Sequence, residues 1–214
     1  YYRTKDMTKS QSFAEKALEL GKKLSDYGAI ANSYVSLGTV FINIAERGKA
    51  IECLERALKI ALDNGLTEAA LRAYNNLAVA LPTEETERGL ESLRKGYELA
   101  KKIGHIQQQS FMGTNIAWDY FGRGDVKKSL SLVEESVALD RRSGNMVNLS
   151  FSVGTLALTH LVLGDWDKCE TYLKEKIGIT EKLNDIQQIG GSYGWLGFLH
   201  FNKGEYREAR ALYE

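Results

Sequence analysis

Proline, cysteine and long apolar runs are scarce in this sequence, and each scarcity excludes a class of protein. The 214 residues include one proline and two cysteines. Because proline costs about 3 kcal/mol in a helix interior, its scarcity favours a nearly all-helical chain. Cys53 and Cys169 are too few for a disulfide scaffold, so we interpret both as reduced thiols of a cytoplasmic protein. No apolar run approaches the roughly 20 residues that span a bilayer, so we expect no membrane contact.

Net charge and catalytic residue sets are also lacking. Lys and Arg together number 28, as do Asp and Glu, so the chain has no basic excess of the kind that binds nucleic acid. We find no nucleophile beside a base, no phosphate loop and no cluster of metal ligands. His160 and His200 are expected to pack in the core. The sequence therefore predicts a protein that is not an enzyme and has no catalytic residue, no cofactor and no metal.

One side-chain pattern recurs about every 40 residues. An apolar residue occupies one position in each repeat, at Leu37, Leu77, Ile116, Leu156 and Leu196. A small residue follows it each time, at Gly38, Ala78, Ala117, Ala157 and Gly197. Fixed periods of roughly 20–50 residues are typical of solenoids, whose repeats bury their apolar faces against their neighbours.

Each repeat is predicted to form two amphipathic helices. The first helices are expected at Ile30–Arg47, Glu68–Leu81, Gln107–Arg123, Val147–Leu163 and Gln187–Lys203. The second helices are expected at Lys9–Ser25, Lys49–Asn64, Thr86–Ile103, Val126–Ser143, Trp166–Asn184 and from Tyr206 onward. The tight turns between them are expected at Gly48, Gly124, Gly164 and Gly204. In the second full repeat Pro82 replaces the turn glycine, so the first helix there should stop about one turn early.

These helices predict one continuous helical-repeat domain over residues 1–214. Its repeats are placed at 1–28 (partial), 29–66, 67–105, 106–145, 146–185 and 186–214 (partial). Neither end of the sequence carries a polar capping helix, and we therefore expect a fragment of a longer protein.

The repeat resembles the tetratricopeptide repeat (TPR). That family's bulky residue, Leu-Gly pair, aromatic residue and second-helix alanine correspond to Tyr34, Leu37-Gly38, Phe41 and Ala50. The resemblance implies an all-α, right-handed superhelical solenoid of antiparallel helix pairs, in the longer form seen in bacterial and archaeal signalling proteins. The chain departs from the pattern at His160 and His200, which replace the aromatic residue. It also departs at Lys176, which stands where Ala17 and Ala57 are small.

The same resemblance implies a binding groove, because in this family the first helix of each repeat lines the concave face. Aromatic and other apolar residues on that face would anchor a ligand, and asparagines would hold its polar groups. The candidate groove residues are Asn75, Asn76, Phe111, Asn115, Trp118, Phe121, Phe151, Leu158, Gly191, Gly194, Phe198 and Phe201. Further positions on this face include Asn32, Thr39, Arg72, Thr114 and Leu161. The alternative interpretation is that these side chains belong to the core or bond to neighbouring helices.

Three functional hypotheses follow. The leading hypothesis is a non-enzymatic scaffold that binds a protein or peptide and serves as the sensor or interaction region of a larger regulatory protein. The alternative is a domain that senses a small-molecule inducer, with Gly190–Gly194 opening a pocket. Tight helix packing is the competing explanation of those glycines. The second alternative is a structural spacer or oligomerisation module, in which the chain forms a homo-oligomer.

Overall fold

The architecture is a series of helices joined by short turns. A computed structural model describes the backbone of residues 6–214 and, except at Thr83, their side chains. Within these residues there is no strand. The helices are α1 (Met7–Leu24), α2 (Tyr27–Asn43), α3 (Arg47–Asp63), α4 (Thr67–Ala80), α5 (Thr86–Ile103), α6 (Ile106–Gly122), α7 (Val126–Ser143), α8 (Met146–Val162), α9 (Trp166–Lys182), α10 (Ile186–Lys203) and α11 (Tyr206–Tyr213). The predicted all-α fold of helix pairs is confirmed.

Acidic side chains start several of the helices. The carboxylates of Asp26, Asp125 and Asp165 accept hydrogen bonds from backbone N–H groups three residues later, at 2.9, 3.3 and 3.3 Å. Each bond satisfies an N–H group that has no partner inside its helix. The residue directly before such a helix start has a positive φ angle at Gly124, Gly164 and Asn184. Glycine and asparagine are the residue types that tolerate this conformation best.

The turn between α2 and α3 differs from the prediction. Gly48 was expected to form it, but Gly48 lies inside α3. Ala45 takes the left-handed conformation instead, with φ of 62°. A side chain costs roughly 1–2 kcal/mol in that conformation, and the turn is held by a hydrogen bond from the Glu46 N–H to the Phe41 carbonyl, 2.9 Å long.

The early stop before Pro82 is confirmed. Helix α4 ends at Ala80, and its C-cap Leu81 is extended, with ψ of 140°. A short 3-10 turn at Thr83–Glu85 then leads into α5. Proline disfavours the helical conformation for the residue before it, which explains why α4 is 14 residues long whereas α2 and α6 are 17.

The chain forms two compact units, one that ends at Ile103 and one that begins at Gly104. In the first unit, α2 packs against α3 and also against α4, the next first helix. In the second unit, α6 packs in the same way against α7 and α8. Helix α10 packs against α9 and α11. Its contact with α8 is less extensive than the contact between α6 and α8. That a single continuous domain spans the chain stays a prediction.

The small residue after the repeated apolar position permits close helix pairing. A Cβ added to Gly38 would lie 2.6 Å from Cγ of Leu54, a side chain of α3 that is fully buried. A Cβ added to Gly197 would lie 3.0 Å from Cζ of Tyr213 on α11. At Gly38 and Gly197, the small residue of the pattern therefore lies where the two helices of a pair are in close contact.

None of the helices described is both long enough and apolar enough to cross a bilayer.

Candidate ligand-binding groove of the second unit

Two adjoining cavities open along the first helices of the second unit. Each has a volume of about 400 Å³, and they share Trp118 of α6, Leu158 of α8 and Trp195 of α10 as lining residues. We call the two together the groove. Because its walls come from three successive repeats, the helical period itself brings these distant residues together.

The first cavity combines aromatic walls with polar groups. It is lined by Thr114, Asn115, Trp118, Phe151, Gly154, Thr155, Leu158, Leu173, Lys176 and Trp195. The hydroxyls of Thr114 and Thr155 donate to backbone carbonyls one turn earlier, at 3.0 and 3.1 Å, so they face a ligand as acceptors.

The second cavity is mostly apolar. Its lining residues are Trp118, Phe121, Leu158, Leu161, Val162, Trp166, Trp195, Phe198 and Asn202. Trp118 stacks on Phe121 with ring centroids 5.4 Å apart, and Trp195 meets Phe198 edge to face at 5.9 Å. Contacts of these kinds are the arrangements that aromatic rings prefer, and they place two aromatic pairs along the cavity wall. All three tryptophans of the chain line the groove.

The groove exposes large apolar side chains. Trp118 is 50% exposed, Phe151 52%, Trp195 43% and Phe198 43%. Contiguous exposed apolar surface of this kind marks sites of interaction, and aromatic residues dominate binding hot spots.

A buried carboxylate ties the helices beneath the groove together. Asp140 of α7 accepts hydrogen bonds from Ser110 of α6 and from Ser152 of α8, the latter at 2.7 Å. Burial raises the pKa of the Asp140 carboxyl, while hydrogen bonds from Ser110, Ser152 and Asn148 oppose that rise. These bonds link α6 and α8, the helices that carry Trp118 and Phe151.

The structure brings together six of the residues predicted for the groove. Cavity-lining positions are taken by Asn115, Trp118, Phe121, Phe151, Leu158 and Phe198. Phe111 is half-buried and lines neither cavity. Phe201 lies outside both and meets Tyr206 of α11, with ring centroids 5.5 Å apart.

The glycines at the start of α10 border open space. A Cβ added to Gly190, Gly191 or Gly194 would meet no atom within 4 Å, apart from the chain neighbours and the helix itself. Tight helix packing therefore does not account for them. Gly191 and Gly194 line neither cavity, so their predicted role in binding stays a prediction.

The predicted asparagines of the first unit bond to each other and to the neighbouring first helix. Asn76 donates to the Thr39 hydroxyl at 2.9 Å, and Asn75 donates to the Asn76 amide oxygen at 3.2 Å. Arg72 similarly donates to Asn32 at 3.2 Å. On this face, polar side chains cross-link α2 and α4.

Sequence reasoning missed several groove residues, chiefly Trp195, Trp166 and Lys176. The repeat itself contained the signal for Trp195, because this residue directly precedes Leu196 as Asn76 precedes Leu77 and Asn115 precedes Ile116. Lys176 was visible as a departure from the small residue of its repeat position. Trp166 gave no such signal, since it begins a second helix.

His160 lies in the core, as expected, whereas His200 is only partly buried. His160 is 4% exposed and stacks on Tyr172 with ring centroids 5.5 Å apart. Burial lowers the pKa of the His160 imidazole, and Asp165, 3.6 Å from Nδ1, partly opposes this. His200 contacts Glu205 at the equivalent turn. Across the described residues, no three His, Cys, Asp or Glu side chains cluster as a metal site would require.

Comparison with known proteins agrees with the repeat. Residues 1–63 match the tetratricopeptide repeat family model. No curated protein matches the sequence at a significant level. The match to residues 1–63 confirms the resemblance seen in the sequence, and helix pairs of the same kind continue to α11.

Solved structures share this fold at low sequence identity. BtubC (BKLC) from P. vanneervenii has a TM-score of 0.79 and 15% identity, over 97% of this chain and 88% of that one. A Rap protein complexed with competence and sporulation factor has a TM-score of 0.73 and 14% identity, over 99% and 70%. The Pyrococcus horikoshii protein PH0952, a signal transduction ATPase (STAND) with a tetratricopeptide repeat sensor, has a TM-score of 0.72 and 18% identity, over 88% and 30%. At these identities the likeness establishes the fold alone.

Proposed function

We propose that the chain is a non-enzymatic module that binds a protein segment or peptide in the groove of its second unit. One observation carries the proposal: two adjoining cavities present four aromatic side chains that are each between 43% and 52% exposed. An extended peptide fits such a site because successive side chains can enter successive cavities. The Rap protein with a similar fold, complexed with competence and sporulation factor, supports this assignment.

Selection of a displayed peptide library against the chain tests the proposal. Selected peptides should bind wild type, and Trp118→Ala and Trp195→Ala should each weaken binding by about 30-fold or more, because buried aromatic anchors contribute about 2 kcal/mol or more. Calorimetric titration gives the affinities, and a cooperative helical melt confirms that each variant folds.

Ile186→Ala is the matched control for these substitutions. Ile186 also lies on α10, is 83% exposed and lines neither cavity. Its removal should leave peptide affinity unchanged. If the selected peptides bind both tryptophan variants as tightly as wild type, the groove is not the binding site.

We further propose that this binding serves regulation. The tetratricopeptide repeat sensor of the P. horikoshii ATPase, which has a similar fold, supports a sensory role. In the host, Trp118→Ala/Trp195→Ala would then alter the output that the full protein controls, whereas Ile186→Ala would not. An unaltered output with the double variant would argue against regulation.

A small-molecule inducer is the second candidate ligand. The first cavity, at about 400 Å³, falls within the range of small-molecule sites, and it combines aromatic walls with polar groups. A metabolite that binds there should raise the melting temperature of wild type but not of Trp195→Ala. If no metabolite in the library has this effect, a peptide remains the preferred ligand.

A further inference from the structure

Lys176 breaks the size pattern of the second helices. The equivalent position of α1, α3, α5 and α7 holds a small residue: Ala17, Ala57, Gly96 and Ser136. The opposing position of the first helix holds Val35, Asn75 and Thr114 in three repeats, and glycine at Gly154 and again at Gly194. In the pair of α8 and α9, a long side chain therefore stands opposite a glycine.

Gly154 supplies the space that Lys176 occupies. A Cβ on Gly154 would lie 3.0 Å from Nζ of Lys176, 3.1 Å from Cδ and 3.3 Å from Cε. These distances are tighter than ordinary contacts, so a residue such as threonine at this position would displace the lysine. The Lys176 side chain of α9 therefore packs over Gly154 of α8, and both residues line the first cavity.

The amine of Lys176 has no counter-charge in contact with it. In the part of the chain that the structure describes, Nζ makes no hydrogen bond and no ion pair. No Asp or Glu lines the first cavity. Burial lowers the pKa of the Lys176 amine, and the charge of Asp185, which lies beyond ion-pair distance, opposes this. By contrast, Lys174 on the same helix pairs with Glu170 at 2.7 Å.

The need to fill the gap at Gly154 does not explain why Lys176 is a charged residue. A methionine would fill the same gap without the desolvation penalty of a half-buried cation. An unpaired cation that lines a cavity is instead suited to an anion that arrives with a ligand, since such an anion would supply the missing partner.

We infer that Lys176 is the anion-binding residue of the groove, and that its occupant is an extended peptide with an aspartate or glutamate side chain next to a large apolar one. The acid pairs with Nζ of Lys176 in the first cavity. The apolar neighbour fills the second cavity, against Trp118 and Phe198. This inference rests on the function proposed above and specifies the chemistry of its ligand.

A carboxylate suits the cavity better than a phosphate. Lys176 is the one cationic residue among the lining residues, and no arginine is present. Phosphate groups carry more charge and are generally held by several donors, often with bidentate arginine. The Thr114 and Thr155 hydroxyls are already donating to the backbone, so a single singly charged acid matches the single amine.

The test uses library peptides blocked at both termini, so that side chains supply every carboxylate. Peptides selected on wild type should carry an acid at a constant spacing from an aromatic or large aliphatic residue. Replacing that Glu by Gln, or Asp by Asn, should weaken binding to wild type about 10- to 100-fold, as expected for a charge-assisted bond. This arm needs no protein variant to fold.

The protein arm uses Lys176→Met, which keeps the length of the side chain and removes the charge. It should weaken binding of the acidic peptide by the same factor, and the amide peptide should show no further loss on this variant. Lys182→Met is the matched control, since Lys182 is an exposed lysine of the same helix. It should leave affinity unchanged.

The outcomes separate this inference from the proposed function. If peptides require Trp118 and Trp195 but carry no acid and bind Lys176→Met equally, the anion role is wrong and the groove stands. If the blocked peptides fail to bind and the same sequences with a free C-terminus bind, the side-chain assignment is wrong. If no peptide requires the tryptophans, both conclusions fall together.

Discussion

The two units distribute polar and apolar side chains in opposite ways. The first unit has a largely apolar interior, with Ser33 and Ser92 as the buried polar residues among those described. The second unit buries many more, including Asp140, His160 and Thr159. Repeats of one architecture thus tolerate very different interiors, because the period fixes where helices approach and not which chemistry fills the space between them.

The surfaces formed by the first helices differ in the opposite sense: the first unit is the more polar one there. In the first unit, Asn76 bonds to Thr39 and Arg72 to Asn32, so that polar groups on this face satisfy one another. In the second unit, tryptophan and phenylalanine stand exposed around two cavities. A face whose polar groups are paired gains little from a ligand, whereas exposed aromatic rings gain by being covered. The difference directs the search for a ligand to the second unit.

The largest expected effect on stability tests the close packing of the first unit. Gly38→Ala places a Cβ 2.6 Å from Cγ of the buried Leu54. Overpacking costs about 1–3 kcal/mol, and better helix propensity offsets up to about 1 kcal/mol of it. Urea unfolding followed by circular dichroism should show a net loss. Unchanged or increased stability would mean that the helix pair is looser than described.

The same substitution on the open face of the second unit should have the opposite sign. Gly191→Ala adds a methyl that meets no atom within 4 Å apart from its chain neighbours and helix. It should stabilise the protein by about 0.5–1 kcal/mol, because alanine loses less backbone entropy than glycine in a helix. The urea midpoint measures this gain. A loss would indicate a contact at this glycine and would weaken the contrast between the two units.

The smallest effect concerns the polar interior and is a dependence on pH. The pKa of Asp140 is raised by burial above its ordinary value of 3.8. The contribution of the Asp140 carboxyl to the free energy of unfolding is therefore fully present below pH 3.8 and is lost as the pH rises through the raised pKa. The stability of wild type relative to Asp140→Asn should fall as the pH rises above 3.8.

Thermal melts at several pH values give this comparison. Asp167→Asn, which changes a fully exposed carboxylate of the same unit, is the control and should give a flatter difference. Parallel curves for wild type and Asp140→Asn would contradict the role of burial.

Much of the fold was predictable because it depends on spacing. The recurrence of Leu37 and its equivalents located each helix pair, and Pro82 located the shortened α4. The turn at Ala45 was not predictable, since glycine marks the equivalent turns and a nearby Gly48 suggested the wrong residue.

The groove was predictable in outline but not in composition. Trp118, Phe121 and Phe198 followed from the first-helix register. Lys176 could not be placed, because its route into the cavity depends on a gap at Gly154 that lies 22 positions away in sequence and is evident only once α8 and α9 are paired.

The position of the tryptophans allows the second unit to be followed by intrinsic fluorescence. Trp118, Trp166 and Trp195 are the full set in the sequence, and all line the groove. Emission excited selectively at the indole absorption edge therefore originates entirely from the second unit, while the first unit is silent at that wavelength. A wavelength shift or quenching on addition of a compound reports groove occupancy without any label, and denaturation followed by this signal reports the second unit alone.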